Sequence, residues 1–394
     1  MKLAILGSGF IARFYAESLL AQRRKDTVVM VYARNEEKVK KFAADYKIPH
    51  YTTNLEEAVS HPEVEAVVIA LPNYLHLEVV LACANAKKHA LCTKPLGRNA
   101  AEAFQMLQAV EKAGVVGGYL EDLCYTPKFL KSLQSVRSGA IGEIIWAKSR
   151  ETHPGPHSNW FWDKEKAGGG CIVDLGCHCI EISRNFIGKD IKPVEVMCWA
   201  DTRMHPIDAE DNAVALVKYA NGAIGQFEVS WSFRGGMDLR DEVMGTEGTI
   251  WLNNFLRTGF EMFSTGKTGA YVAEKAESSS GWLFPVGDEV HELGYSHMFT
   301  DMFTAIENNT QPAEIFYDGY IVNAIIDAAY KSAATKQWEP VILEEWRGNK
   351  SDEIQKAEYP SYDDNYYLIK EELLPSGEKN IIVKHKQTGS IEKR

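Results

Sequence analysis

The chain has no basic excess, no long apolar run and few cysteines, and each shortage removes a class of function. Lys and Arg total 43 against 54 Asp and Glu, a net charge of −11. The basic residues are scattered, so neither a nucleic-acid partner nor an anionic membrane surface is expected. No apolar run approaches the roughly 20 residues of a membrane helix, so no membrane partner is expected. Met1-Lys2 leads directly into an apolar strand, which argues against a signal peptide. Seven cysteines, an odd number in 394 residues, read as free thiols in a reducing compartment, and we expect a cytoplasmic protein. Cys177-His178-Cys179, with Cys171 nearby, lacks the usual zinc spacing, and no second ligand pair follows, so no metal is expected. Internal repeats and long low-complexity tracts are missing too. What remains, at 45% apolar and 25% charged residues, can bury a large core, and the length predicts two domains.

The most informative segment is at the start. Leu3-Ala4-Ile5-Leu6 runs into Gly7-Ser8-Gly9-Phe10-Ile11-Ala12, and a helix-competent stretch follows to Leu20. This is the G-x-G-x-x-G/A spacing of a dinucleotide-binding turn. Gly7 allows the sharp turn, Gly9 lets backbone approach a pyrophosphate, and small Ala12 lets helix and strand pack closely. The helix N-terminus, from Phe10 and Ile11 on, offers free N–H groups to phosphates.

Alternation of strand and helix patterns continues through the first 120 or so residues. Strand signals fall at Thr27–Tyr32, Ala66–Ala70, His89–Cys92 and Val115–Tyr119; helical ones fall at Glu36–Tyr46, Leu55–Val59, His76–Ala86 and Asn99–Ala113. Continuous apolar strands in such an alternation predict an α/β fold, a doubly wound parallel sheet with helices on both faces. The pattern then changes. A helix over Pro127–Ser138 and a strand over Glu143–Glu151 precede an aromatic-rich loop, His153–Asp163, and the run Gly168-Gly169-Gly170. Ile172–Phe186 reads as one helix. Strands are predicted at Val194–Ala200, Asn212–Ala220, Ala223–Phe233 and Asp241–Leu252, with Asn221-Gly222 a hairpin turn. This is a C-terminal α+β domain with an open, mostly antiparallel sheet. Residues 264–281 read as a mobile loop, and His297–Glu307 and Tyr317–Thr335 as helices. The expected division is 1–122, 123–347 and a charged, Tyr-rich extension, 348–394, suited to an arm across a partner.

Three further constellations follow strand ends, where open α/β sheets bind ligands. The turn Leu71-Pro72-Asn73, with His76 after it, is expected beside the ribose and nicotinamide of the cofactor. Lys94, between a buried strand and Pro95, can hydrogen-bond a substrate hydroxyl and stabilise a forming alkoxide. Asp174 and His178, at i and i+4 of a helix, share a face, so the carboxylate can orient the imidazole as a general base.

Taken together, the glycine turn, Lys94-Pro95 and Asp174-x-x-x-His178 resemble the glucose–fructose oxidoreductase/inositol dehydrogenase/MocA family over about residues 1–345. The resemblance implies a Rossmann domain with NAD or NADP, and a second domain whose outer sheet face forms a homo-oligomer interface. It implies that Lys94 and His178 flank the reacting carbon, that Asp174 binds substrate hydroxyls, and that Trp162 contacts the cofactor. Two positions depart from the family pattern. Thr93 stands where the family commonly has Glu. Ala33-Arg34 follows the second strand where strict NAD enzymes often carry an acid, so Arg34 can pair with a 2′-phosphate or stack on adenine. The strings Glu121–Lys128, Glu151–His157 and Ser158–Asp163 are similar to those of bacterial enzymes that oxidise glucosides at carbon 3. In that light Trp160 can stack on a sugar ring, with Tyr125, His153, His157 and Asn159 around the hydroxyls.

The expected activity is hydride transfer from a secondary hydroxyl carbon of a sugar or glycoside, carbon 3 first, with Lys94 or His178 taking the proton. A retained cofactor can be recycled on a second oxo-sugar. The alternatives are a glycosidase that oxidises carbon 3 transiently, a cyclitol dehydrogenase, and a dinucleotide sensor without catalysis.

Overall fold

The computed structural model describes residues 1–22, 25–255, 260–266, 272–349 and 359–394. The chain divides into two compact units, Met1–Asp352 and Glu353–Arg394.

The first unit opens with β1 (Lys2–Leu6), α1 (Phe10–Gln22), β2 (Thr27–Tyr32), α2 (Glu36–Asp45), β3 (His50–Thr52) and α3 (Leu55–Ser60). It continues with β4 (Ala66–Ile69), α4 (His76–Asn85), β5 (His89–Thr93), α5 (Ala100–Ala113) and β6 (Gly117–Leu120). Every pair in this sheet is parallel, and the strand order is β3-β2-β1-β4-β5-β6. Strands buried on both faces, such as β4 with all four residues buried, require helices on both sides. Local chemistry sets the helix ends. Asn35, Asn54 and Asn99 accept hydrogen bonds from the first-turn N–H groups of α2, α3 and α5, and Gly114 closes α5 in the left-handed conformation. The order reverses between β1 and β4, which opens a crevice at their C-terminal ends.

The second layer holds α6 (Pro127–Arg137), β7 (Ile144–Thr152), α7 (Cys177–Ile187), β8 (Pro193–Asp201), β9 (Asn212–Tyr219) and β10 (Ile224–Ser230). It is completed by β11 (Asp238–Gly245), β12 (Thr249–Asn253), the hairpin β13 (Met262–Thr265) and β14 (Ser280–Leu283), α8 (Tyr295–Glu307), α9 (Phe316–Thr335) and β15 (Glu339–Pro340). Its seven-stranded sheet runs β12-β11-β7-β10-β9-β8-β15, antiparallel except for β7 with β10. Helices α7 and α9 pack on its inner face. The outer face leaves Trp199, Met244 and Trp251 exposed.

Three local expectations change. Asp241–Leu252 is two strands, because Gly245 accepts a tight turn back to Gly248. Ile172–Phe186 is a π-helical turn, Ile172–Gly176, followed by α7. Within 264–281, residues 267–271 lie outside the described ones; the rest contributes the β13–β14 hairpin ends and places Lys275 against the cleft. In the second unit, β16 (Tyr366–Leu373), β17 (Lys379–His385) and β18 (Ile391–Lys393) form an antiparallel sheet. No helix among the described residues is long and apolar enough to cross a membrane.

Candidate active site

A cleft of about 440 Å³ opens where the two sheets meet, at the C-terminal edge of the parallel one. Its floor on one side is the turn after β1. Gly7 has φ +126°, and a Cβ there would stand 2.3 Å from the Ala70 carbonyl, so only glycine lets β1 and β4 lie this close. A Cβ on Gly9 would meet nothing within 4 Å, leaving room for a ligand against the backbone. No acidic side chain occupies the first turn of α1, so its free N–H groups face an anion unopposed. These features fit a dinucleotide pyrophosphate. Ala33 and Arg34 line the cleft beyond the end of β2, and Leu71 and Asn73 line it after β4. The Asn73 amide donates to the Ala167 carbonyl at 2.7 Å, which ties this turn to the glycine run.

The second wall carries the ionisable groups. Lys94, at the end of β5, donates from Nζ to Asp174 Oδ1 at 3.1 Å and to the Asp174 carbonyl at 2.7 Å. Asp174 Oδ2 accepts from the buried Trp231 indole at 3.0 Å. Burial alone pushes the Asp174 carboxyl up, but Lys94, His153 and Lys275 together outweigh it and hold it at about 2. Burial likewise opposes charge on Lys94, and Asp174 with the surrounding carboxylates overcomes this and raises it. The pair is therefore an ion pair at neutral pH. The Glu210 carboxylate secures the segment by accepting from the Gly170 and Ile172 N–H groups, at 3.1 and 2.9 Å, and from Tyr330 OH at 2.9 Å.

His178 faces the same cleft with different partners. Its Nδ1 makes a very short contact with Oε1 of Glu121, which follows β6. Its Nε2 lies 4.0 Å from Glu151 Oε2 at the end of β7. Burial, then the Lys94 charge, depress His178 to about 3, and burial raises Glu121 to about 8. Asp122 is raised to about 7 by burial. The expected Asp174–His178 pairing is not formed. Asp174 belongs to Lys94 and Trp231, and a separate carboxylate holds the imidazole.

At the mouth, His153, His157 and Trp160 line the cleft. His153 Nδ1 accepts from the Gly155 N–H at 3.0 Å, so its proton is on Nε2, which lies 3.9 Å from Asp174 Oδ2. Trp160 stacks on Phe161 with centroids 3.7 Å apart, and His157 packs on Phe10 at 4.7 Å. Lys275 reaches in from the segment before β14 and donates to the Gly155 carbonyl at 3.0 Å.

Four expected contacts fall elsewhere. His76 is fully buried, with both ring nitrogens against the carbonyls of Leu71, Pro95 and Leu96; it braces the turn instead of lining the cleft. Tyr125 is buried and donates to Asp301 at 2.7 Å. Trp162 packs on Trp231 and His205, one shell behind Asp174. Asn159 is exposed and outside the cleft lining. For His76, Tyr125 and Trp162, burial or a nearer partner took the side chain that sequence proximity had placed at the ligand. Thr93, the departure before Lys94, accepts from Tyr15 OH at 2.9 Å. Of the cysteines, all of them free, Cys177 contacts the Asp174 carbonyl and Cys171 the Val229 carbonyl. Glu121, Glu151, Trp231 and Lys275 were not among the expected site residues. Glu121 and Glu151 each stand at a strand end, which is the signal that pointed to Lys94.

Residues 1–119 match the family model for the oxidoreductase family with NAD-binding Rossmann fold, and residues 129–251 match the GFO/IDH/MocA C-terminal domain. The chain belongs to the Gfo/Idh/MocA family. As an oxidoreductase of this family it carries the NAD-binding Rossmann domain that the resemblance implied. GenD2 from gentamicin A biosynthesis, solved with NAD, is 30% identical with a TM-score of 0.82, over 87% of this chain and 97% of that one. Levoglucosan dehydrogenase of Pseudarthrobacter phenanthrenivorans is 26% identical over 348 residues, 78% of this chain and 87% of the relative. Myo-inositol 2-dehydrogenase of Thermotoga maritima is 26% identical over 348 residues, 86% of this chain and 97% of the relative. The last two relatives are named as dehydrogenases of levoglucosan and of myo-inositol.

Proposed function

We propose that the chain oxidises a secondary hydroxyl of a ring polyol, the carbon 3 hydroxyl of a glucosyl unit before others, with NAD as the partner. The observation that carries this reading is the meeting of Lys94, Asp174 and His178 in one cleft with the Gly7–Ile11 turn. A dinucleotide held by that turn, Leu71 and Asn73 supplies a hydride acceptor. Lys94, fixed by two bonds to Asp174, keeps a third N–H for the reacting oxygen and stabilises negative charge there. His178 Nε2 takes the hydroxyl proton, and Glu121 on Nδ1 holds the ring and stabilises the charge it gains. His153, His157 and Trp160 bind the rest of the ring or its aglycone. A cyclitol fits the same donors, and the named relatives include both substrate types. Exposed Trp199, Met244 and Trp251 on the outer sheet face support self-association.

The test supplies purified protein with NAD and, separately, a methyl glucoside, levoglucosan and myo-inositol, and follows NADH by absorbance. Turnover of the glucoside, with a 3-oxo product by NMR, is expected. Reduction of NAD by none of the three would overturn the reading. Arg34 is exposed and lines the adenosine side. Arg34→Ala is expected to change the KM for NAD by about twofold, while NADP use falls about tenfold, because the guanidinium matters most to a 2′-phosphate.

A further inference from the structure

One polar group in the cleft has no role in the chemistry above. Glu151, the penultimate residue of β7, lines the cleft, and its residue is buried. Its Oε2 has no hydrogen-bond partner. Leaving such a group unpaired is costly, and a ligand hydroxyl removes that cost. The position says which hydroxyl. Oε2 stands 4.0 Å from His178 Nε2, too far for a direct bond but close enough that groups bound to each can be neighbours. The reacting oxygen is already served by Lys94 and His178, and a third partner there would compete with them. The adjacent hydroxyl of the same ring has no such conflict.

We propose that Glu151 binds the hydroxyl on the carbon next to the one oxidised, and so makes the site selective for vicinal diols. The proposal rests on the polyol-oxidation reading and names the feature of the polyol that is recognised. Burial, against the pull of Lys94, pushes the Glu151 carboxyl well above the usual range. A protonated carboxyl offers one donor and one acceptor, which is what a hydroxyl needs.

The experiment compares wild type, Glu151→Leu and Glu151→Gln on a methyl glucoside and on its 2-deoxy and 4-deoxy analogues, with NAD. With the glucoside, Glu151→Leu is expected to lower kcat/KM about 10- to 100-fold, mostly through KM, and Glu151→Gln, which keeps a donor and an acceptor, much less. One deoxy analogue should be slow with wild type by a similar factor. On that analogue the substitution should cost about twofold, because the lost contact is already missing. NAD affinity, measured by fluorescence titration, should not move. Equal losses on all three substrates, or none, would overturn the role of Glu151 while leaving polyol oxidation standing. Should wild type oxidise none of the glucoside, levoglucosan and myo-inositol, both readings fall together.

Discussion

Lys94→Met is expected to lower kcat/KM about 10³-fold and to destabilise the protein by about 3–5 kcal/mol. Both effects come from one ammonium group. It is the largest of the charges that together overcome burial to hold Asp174 at about 2. Without it, a carboxylate that is 5% exposed keeps the Trp231 indole, His153 and Lys275 as counterweights. An unpaired buried charge of this kind is strongly destabilising, and Asp174 will titrate upward instead of staying ionised. The activity loss has a different origin, because the reacting oxygen loses its stabilising donor. The two can be separated. Lys94→Met with Asp174→Asn removes both charges, so most of the stability should return in thermal melts while activity stays low. Recovery of activity in the double variant would show that Lys94 acts only by neutralising Asp174.

Glu121→Gln is expected to lower kcat for oxidation about 10²- to 10⁴-fold, the range seen when a base loses the group that orients it. Glu121 and His178 Nδ1 are tightly coupled, so the titration belongs to the pair. Below about pH 8 the Glu121 carboxyl holds its proton and donates to Nδ1, which places the ring proton on Nε2 and blocks it as a base. Above that value the carboxylate accepts from Nδ1–H, and Nε2 is free to take the substrate proton. Oxidation by wild type should therefore rise with pH through about 8, and Glu121→Gln should lose this limb. Stability should respond in the opposite sense. The folded value near 8 lies above the roughly 4.3 of an unfolded Glu. Between the two, the folded state retains a proton that the unfolded state has released, so stability falls as pH rises across that window. Asp122, at about 7, adds to the same slope. Melting curves from pH 5 to 8 should show a shallower decline in Glu121→Gln than in wild type. An inactive variant that is no less stable at pH 8 would locate the defect in the chemistry and not in folding.

The parallel sheet was legible because its signals are local. Apolar runs such as Ala66–Ile69, the turn at Gly7 and the asparagine caps act within a few residues of themselves. The site was legible in part. Lys94, Asp174 and His178 could be picked out because each sits where the chain leaves a strand or follows a glycine run. Their partners could not be assigned by spacing. Asp174 and His178 are four residues apart in sequence, yet one is held from β5 and Trp231 and the other from the end of β6. His76, Tyr125 and Trp162 were misjudged for the same reason. Their positions along the chain are close to the ligand turns, but each found a buried carbonyl, carboxylate or ring behind the cleft.

The sequence by itself determined that a dinucleotide turn, a lysine, an aspartate and a histidine belong to one oxidoreductase chain, since residue type and local spacing carry that information. Only the tertiary structure decided which carboxylate serves which cation. Asp174 neutralises Lys94, Glu121 orients His178, and Glu151 Oε2 is left without a hydrogen-bond partner. Such pairings are set by the energy of buried charge, which depends on what the fold brings within hydrogen-bond distance and not on how far apart the residues lie along the chain.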